Sequence, residues 1–287
     1  MTEPKKLTTI QAIILFIALI LTLFPIFWIV MTAIKPPTDW NASPAIWIPS
    51  EPTLVNFMTL FDPDAIRAYG VGGVSQAATS AVIGSIIASV TATIFSVAIG
   101  LFSAIGISRY AKNSKWTPLV ILSGRMFLPA AIAVPFVIIF SNIGLTDTYT
   151  GLIAIYVAIT LPFSTWMLKS FVDDLPREIE EAAMIDGRSR LMAHITVTIP
   201  LIKGGLFATT MFIFILNWSE FLFALVLSYS NINTIPVQLA KYVTATAGTL
   251  YGVQAALAVL AMLPLIVVGY YIQSHLARGM TFGAIKQ

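Results

Sequence analysis

The stretch DDLPREIEEAAMIDGRSRLMAHITVTIP, Asp173–Pro200, concentrates charge in a sequence that is otherwise apolar. Six of the 13 acidic residues lie in it, together with three arginines, so it does not belong in lipid. Pro176 suits the first turn of a helix, where its missing N–H would be unpaired anyway, and Asp173 or Asp174 suits the capping position. Gly187 suits the C-terminal end of a helix, where the chain often adopts the left-handed backbone conformation. The stretch therefore predicts a short helix, a break and a second short helix.

The composition of the whole chain is that of a polytopic membrane protein. Of its 287 residues, 57% are hydrophobic and only 10% are charged, whereas soluble proteins carry about 25% charged residues. The absence of cysteine excludes disulfides and thiolate metal sites. His194 and His275 lie too far apart in sequence to suggest a metal site, so we expect no bound metal.

The apolar runs predict six membrane spans, because each is long enough for the roughly 20 residues that a spanning helix needs. Their approximate ranges are 10–34, 77–107, 116–143, 149–170, 201–228 and 252–272. Small residues enrich the second span, which predicts close helix packing and a central place in the bundle. The chain is thus expected to be one all-α transmembrane domain over residues 1–287, with the charged loop 173–200 between the fourth and fifth spans.

The distribution of basic residues predicts the orientation of this domain, because lysine and arginine favour the cytoplasmic side. Six spans would place 12 basic residues on the cytoplasmic side, three outside and Arg125 within a span. The cytoplasmic set is Lys5, Lys6, Arg109, Lys112, Lys115, Lys169, Arg177, Arg188, Arg190, Lys203, Arg278 and Lys286, and the external set is Lys35, Arg67 and Lys241. We therefore expect the charged loop and both termini in the cytoplasm.

The charged loop carries a family resemblance. The triplet Glu181-Ala182-Ala183, followed by Gly187 and the closing Val197-Thr198-Ile199-Pro200, resembles the EAA loop of ABC-importer permeases, although the family usually has isoleucine and leucine at 197 and 199. The resemblance implies a type I ABC importer transmembrane domain with a cytoplasmic coupling helix that docks on a separate ATPase. The residues it assigns to coupling are Glu181, Ala182, Ala183, Asp186, Gly187 and Pro200. Taken alone, the residues also fit a solvated hairpin between two spans.

The fifth span extends the resemblance to the carbohydrate-uptake branch, that of the second permease of maltose-type systems. NWSEFLFALVL resembles a WNEFLFA-type segment, with Asn217 and Trp218 in inverted order. Helical spacing predicts that Asn217, Glu220 and Ala224 share a face. An acidic residue within a span must be paired, neutral or exposed to water. Glu220 either accepts hydrogen bonds from sugar hydroxyls, with Trp218 or Phe221 offering a ring, or fixes its helix to a neighbour.

Three further positions stay open between a functional and a structural interpretation. Arg125 is either a cavity or gate residue or a side chain that reaches the nearby membrane interface. The pair Asn56-Phe57 resembles the first external loop of sugar-type permeases, and equally fits an interfacial amphipathic helix. The tail from Arg278 to Lys286 either reaches the ATPase or is simply a basic end.

The resemblance implies half of the pathway of an ATP-driven, binding-protein-dependent importer in a bacterial or archaeal cytoplasmic membrane. Its solute would be a sugar, oligosaccharide or polyol derivative. The sequence contains no GxxxxGK[ST] phosphate loop, so we expect a chain that is no enzyme, has no catalytic residue and binds no cofactor, with ATP and Mg²⁺ held by a partner.

The implied partners are a dimer of P-loop ATPase subunits, a second and different permease and an extracytoplasmic solute-binding protein, with no nucleic acid. One alternative is an ion-coupled secondary transporter or channel that needs no ATPase, for which only Glu220 and Arg125 are candidates for ionisable groups at mid-membrane. Another is a membrane-embedded enzyme, although no nucleophile–base constellation is evident.

Overall fold

The computed structural model describes residues 8–62, 64, 78–111, 116, 120, 121, 123, 129–244 and 248–283, and these residues are mainly helical. The helices are α1 (Thr9–Ala33), α2 (Val55–Thr59), α3 (Ala78–Tyr110), α4 (Pro129–Asn142), α5 (Tyr149–Asp173), α6 (Arg177–Ile185), α7 (Arg190–Ala193), α8 (Ile199–Leu201), α9 (Lys203–Trp218), α10 (Leu222–Leu227), α11 (Ile235–Lys241) and α12 (Tyr251–Gly283). A 3-10 turn covers Pro37–Asp39 and a π-helical turn covers His194–Thr198. Two-residue strands β1 (Val243–Thr244) and β2 (Gly248–Thr249) pair antiparallel.

Four described helices are long and apolar enough to cross a membrane: α1, α3, α5 and the Tyr251–Tyr271 part of α12. This agrees with the predicted multi-pass membrane protein, while the count of six spans stays a prediction. Of the predicted third span, the structure describes the 14-residue helix α4, and most of 116–128 lies outside the described residues.

The predicted fifth span is not one continuous helix. The chain forms α9 and α10, which are separated at Ser219–Phe221, so the helix that the predicted face of Asn217, Glu220 and Ala224 requires is interrupted. The helix stops at Trp218 because the carboxylate of Glu220 accepts hydrogen bonds from backbone N–H groups of the next helix. Such breaks are tolerated at membrane depth where other protein groups satisfy the backbone.

The chain divides into two compact units, residues 1–79 with 239–263 and residues 80–238 with 264–287. In the first unit, the buried Asn56 on α2 donates from Nδ2 to the carbonyls of Ala33 (2.9 Å) and Lys35 (2.8 Å). Ala33 is the last residue of α1, whose final carbonyls have no partner within the helix, and Lys35 lies two residues beyond it. Asn56 therefore anchors α2 to the end of the first helix, an internal role that favours neither of the two predicted alternatives.

The second unit holds the candidate functional residues around two apolar clusters. One cluster joins α3, α4, α5 and α10, and the other joins α3, α5 and α9. Helix α3 contributes small side chains such as Ala88, Ala92 and Ala104, and a Cβ at Gly100 would lie 2.3 Å from Ser164 Oγ on α5. Since α3 takes part in both clusters, the prediction of a central, closely packed second span is confirmed for this unit.

Candidate coupling loop and translocation pathway

The charged loop has the predicted arrangement of helix, break and helix. Helix α6 begins after Pro176 and ends before Asp186, and Gly187 follows with a φ of +89°. The N–H of Arg188 then bonds the carbonyl of Ala183 (3.2 Å), which closes the helix end. Glycine is needed at 187 because other residues adopt this left-handed conformation only at a cost.

The predicted capping residues of α6 are wrong. Helix α5 continues through Asp173, whose carboxylate binds Lys169 and the hydroxyl of Ser108, and Asp174 is the C-terminal cap of α5. Pro176 itself occupies the position before α6 and provides no side-chain hydrogen bond. Both aspartates therefore belong to the C-terminal end of α5, which is longer than the predicted fourth span.

Helix α6 has a buried face and an exposed face. Glu180 and Ala183 are 5% and 8% exposed and face the protein, whereas Glu181 and Ala182 are exposed. Ile185 is 87% exposed at the end of the helix, so a large apolar side chain projects from this charged segment. Asp186, Gly187 and Pro200 are exposed as well. Of the six predicted coupling residues, five thus lie at the surface and Ala183 lies beneath them.

The buried side chain that fixes α6 is Glu180, which directly precedes the predicted triplet. Its carboxylate forms an ion pair with Arg109 at the end of α3, with Nε of Arg109 2.9 Å from Oε2 and Nη2 3.0 Å from Oε1. Thr198 Oγ1 donates to Oε1 (2.8 Å), and His194 Nδ1 lies 3.7 Å from Oε2. Burial alone would raise the pKa of Glu180, but hydrogen bonds from Arg109 and Thr198 and the charge of Arg109 lower it below the usual value.

Further contacts join the loop to the same end of α3. They are Arg109 Nη2 donating to Leu175 O (3.2 Å), Arg177 Nη2 donating to Ser108 O (2.9 Å) and Tyr110 Oη with His194 Nε2 (2.8 Å). Sequence reasoning missed this cluster, because Arg109 and Glu180 are 71 positions apart and no spacing rule connects them. The available signal was a glutamate on the inward face of an amphipathic helix.

A cavity of about 350 Å³ lies between α4, α5, α9 and α10. Its volume is in the range of small-molecule pockets, which are mainly apolar with few polar groups. The lining residues are Pro129, Ile132, Phe136, Ala158, Ile159, Thr160, Pro162, Leu216, Glu220 and Phe223. Thr160 and Glu220 supply the polar groups, and Phe136 and Phe223 supply aromatic rings.

Glu220 lies at this cavity, but its carboxylate is occupied by backbone groups. Oε1 accepts from the N–H of Phe223 (2.9 Å) and Oε2 from the N–H of Ala224 (3.0 Å), which are unpaired donors in the first turn of α10. Because the helix breaks at Ser219–Phe221, Glu220 does not share a continuous helix face with Asn217 and Ala224, and that expectation is corrected. The geometry favours the structural alternative for Glu220.

None of the other predicted pathway residues that the structure describes lines this cavity. Asn217 is 2% exposed and donates from Nδ2 to Thr93 Oγ1 (3.1 Å), which links α9 to α3. Phe221 is partly exposed and is absent from the cavity lining. Arg125 lies outside the described residues. Among the residues that the structure describes, no group of histidine, aspartate and glutamate is arranged to hold a metal ion.

A second buried carboxylate, Asp147, lies in the turn between α4 and α5 and was not predicted. It accepts from the backbone N–H groups of residues 229–232 at 2.8–3.2 Å and from the hydroxyl of Ser230 (2.7 Å). Burial alone would raise the pKa of Asp147, but these hydrogen bonds lower it to about 2. The carboxylate therefore holds the segment that follows α10 against the turn before α5.

Comparison with known proteins decides the family. Residues 96–282 match the family described as the binding-protein-dependent transport system inner membrane component, a range that includes α5–α11 and the charged loop. The chain belongs to this family. The permease is therefore a multi-pass inner-membrane component of a transport system, and the expected ABC-importer fold class is confirmed.

Individual relatives match the permease along nearly its whole length. It is 30% identical to the trehalose/maltose transport system permease protein MalG of Thermococcus litoralis, over 93% of this chain and 92% of the relative. It is 29% identical to the diacetylchitobiose uptake system permease protein DasC of Streptomyces coelicolor, over 96% of this chain and 95% of the relative.

A solved structure of a bacterial ABC transporter involved in import of the acidic polysaccharide alginate has the same fold. Its TM-score is 0.74 at 20% identity, with 92% of this chain and 94% of that chain covered. The family assignment disagrees with the alternatives of an ion-coupled carrier or a membrane-embedded enzyme.

Proposed function

We propose that the permease forms half of the translocation pathway of an ATP-driven importer for a sugar, oligosaccharide or polyol derivative. The names of the two relatives support this solute class, since they transport trehalose or maltose and diacetylchitobiose. The cavity between α4, α5, α9 and α10 supports it as well, because its aromatic rings and apolar walls offer flat surfaces to sugar rings. Asn217, Phe221 and Arg125 remain proposed pathway residues, while Glu220 shapes the cavity by capping α10.

The observation that carries the coupling role is the exposed face of α6 with Ile185 at its end. Burying a large apolar side chain contributes about 1.5–3 kcal/mol, so this face gains stability when another protein covers it. The methyl side chain of Ala182 permits close approach, and Glu181 and Asp186 supply charges for the contact. We assign this docking to Glu181, Ala182, Ala183, Asp186, Gly187 and Pro200, against one subunit of a P-loop ATPase dimer that binds ATP and Mg²⁺.

The remaining partners in this proposal are a second, different permease and an extracytoplasmic solute-binding protein. The permease itself is a single transmembrane domain over 1–287 that binds no cofactor and hydrolyses no ATP. The excess of basic residues at one side of the predicted spans supports a cytoplasmic coupling loop and two cytoplasmic termini. A cysteine introduced at the exposed Ser189 should accordingly resist membrane-impermeant maleimide in whole cells and react in inside-out vesicles.

The solute class is tested by uptake in cells that lack this chain. Labelled maltose, trehalose, diacetylchitobiose and mannitol would be compared with leucine and phosphate, before and after the gene is restored. We expect restored uptake of at least one carbohydrate and no change for leucine or phosphate. Uptake of leucine or phosphate that depends on the chain, with every carbohydrate unaffected, would contradict the proposed solute.

A further inference from the structure

Helix α3 is continuous from the coupling loop to the opposite end of the second unit. Its 33 residues correspond to a length of about 50 Å at 1.5 Å per residue. It contains no proline, whereas α1, α5 and α12 each contain one. Proline removes a backbone hydrogen bond and kinks a helix, so α3 keeps an uninterrupted hydrogen-bond ladder through this length.

At its loop end, α3 is fixed to α6 by the Arg109–Glu180 ion pair. Both side chains are 6% exposed, so water does not compete for the contact. The guanidinium of Arg109 and the carboxylate of Glu180 share hydrogen bonds in the planar geometry that fixes direction as well as distance. A displacement of α6 therefore acts on the last turn of α3 through a buried and directional contact.

At its other end, α3 is in close contact with the segment that precedes α11. Ser85 Oγ accepts from the N–H of Ile235 (2.8 Å), and a Cβ on Gly84 would lie 2.0 Å from the carbonyl oxygen of Asn233. The preceding residues 229–232 are held by the carboxylate of Asp147. This segment, 229–235, follows α10, and α10 lines the cavity through Phe223.

We propose that Arg109 and Glu180 are positioning residues that transmit movement of α6 through α3 to the segment 229–235 on the opposite side of the membrane. The inference rests on the proposed function, because the partner ATPase supplies the movement. The ion pair connects α6 to the intracellular end of α3, and Ser85 connects the external end of α3 to Ile235. The state of the ATPase is thereby communicated to the outer end of the pathway.

The test uses the natural absence of cysteine and the 64% exposed side chain of Tyr229. Tyr229→Cys would be labelled with an impermeant maleimide in the assembled complex, without nucleotide and with a non-hydrolysable ATP analogue. In this background we expect the nucleotide to change the labelling rate by about tenfold, and Glu180→Gln and Arg109→Gln to abolish the change although the ATPase still co-purifies. Asp174→Asn removes a carboxylate from the same loop without touching the pair, and should keep the full change.

Ser85→Ala tests the other end of α3. It also provides a test if the Glu180→Gln or Arg109→Gln complex fails to assemble. It removes the acceptor for the Ile235 N–H, so the labelling change should be lost while solute-binding protein still stimulates ATP hydrolysis. An assembled Glu180→Gln or Ser85→Ala complex with the full labelling change would overturn the inference and leave the proposed function intact. Absence of an ATPase from the complex of the unsubstituted chain would overturn the proposed function, and the inference with it.

Discussion

Three carboxylates each accept several hydrogen bonds from groups within the protein: those of Asp147, Glu180 and Glu220. Asp147 binds four backbone N–H groups, Glu180 binds Arg109 and Thr198, and Glu220 binds two N–H groups of α10. The sequence indicated only that Glu220 was unusual, because it is an acidic residue in an apolar run. The backbone donors to Asp147 and the Arg109 partner of Glu180 are more than 70 positions away in sequence, so no local pattern connects them.

Replacing Glu220 with alanine tests its capping role. Because two N–H groups at the start of α10 lose their acceptor, we expect a loss of about 1 kcal/mol of stability, which is typical of a helix cap. The apparent KM for solute uptake should stay unchanged in the protein that remains folded. Thermal unfolding in detergent and uptake kinetics provide the two measurements.

Glu220→Gln is the matched variant, since it retains one carbonyl oxygen and should lose less stability than the alanine variant. A KM raised about tenfold in a fully stable Glu220→Gln protein would instead assign the carboxylate to solute binding.

Replacing Asp147 with asparagine should lower the stability of the permease in a pH-dependent way. The pKa of Asp147 falls from 3.8 to about 2 on folding, so its contribution is present above pH 4 and is lost as pH falls through 2. A shift of roughly two units corresponds to about 2–3 kcal/mol at neutral pH. The difference in unfolding free energy between the two proteins should therefore narrow as the pH falls from 7 to 3.

An equal difference at pH 7 and pH 3 would rule out the ionised carboxylate as the source of the stabilisation.

At the scale of elements, the helix, break and helix of the coupling loop were predictable because the break depends on one residue, Gly187. The break in the fifth span was not, because NWSEFLFALVL has the composition of an unbroken apolar helix. At this break, the carboxylate of Glu220 accepts hydrogen bonds from the N–H groups of Phe223 and Ala224, which would otherwise bond carbonyls of the preceding turn. Local propensity predicts a helix well when the residues at its own ends determine where it stops. It fails where a side chain such as Glu220 accepts the hydrogen bonds of backbone N–H groups that would otherwise continue the helix.

Replacing Gly187 with valine tests the turn between α6 and α7. A β-branched residue at a φ of +89° costs about 1–2 kcal/mol or more, so the chain should relax and move the exposed face of α6. We expect the permease to insert into the membrane normally, while solute uptake falls about tenfold relative to ATP hydrolysis. Uptake and hydrolysis would be measured together in proteoliposomes.

Gly204→Val is the matched control for this change. A Cβ at Gly187 or Gly204 meets no atom within 4 Å, but only Gly187 has a positive φ. The control should therefore keep the normal ratio of uptake to hydrolysis, and a normal ratio in Gly187→Val would contradict the coupling role of this turn.

At the scale of the whole molecule, the permease combines a cavity inside the second unit with an exposed, charged loop at the end of α3. The class of protein was predictable because hydropathy and charge distribution report directly on the membrane. The position of the cavity was not, because its walls come from four helices that are separated in sequence. The family match and the ABC-importer fold place both features in a transport system, whose energy must come from another subunit if the proposal holds.

The measurement that tests this dependence most directly is gentle purification of the tagged chain from its native membrane, with identification of the proteins that accompany it. We expect a P-loop ATPase and a second permease in fixed stoichiometry, and uptake into liposomes only with ATP and solute-binding protein. Recovery of the chain alone, with solute transport in liposomes without ATP, would contradict the proposal that a separate ATPase drives transport.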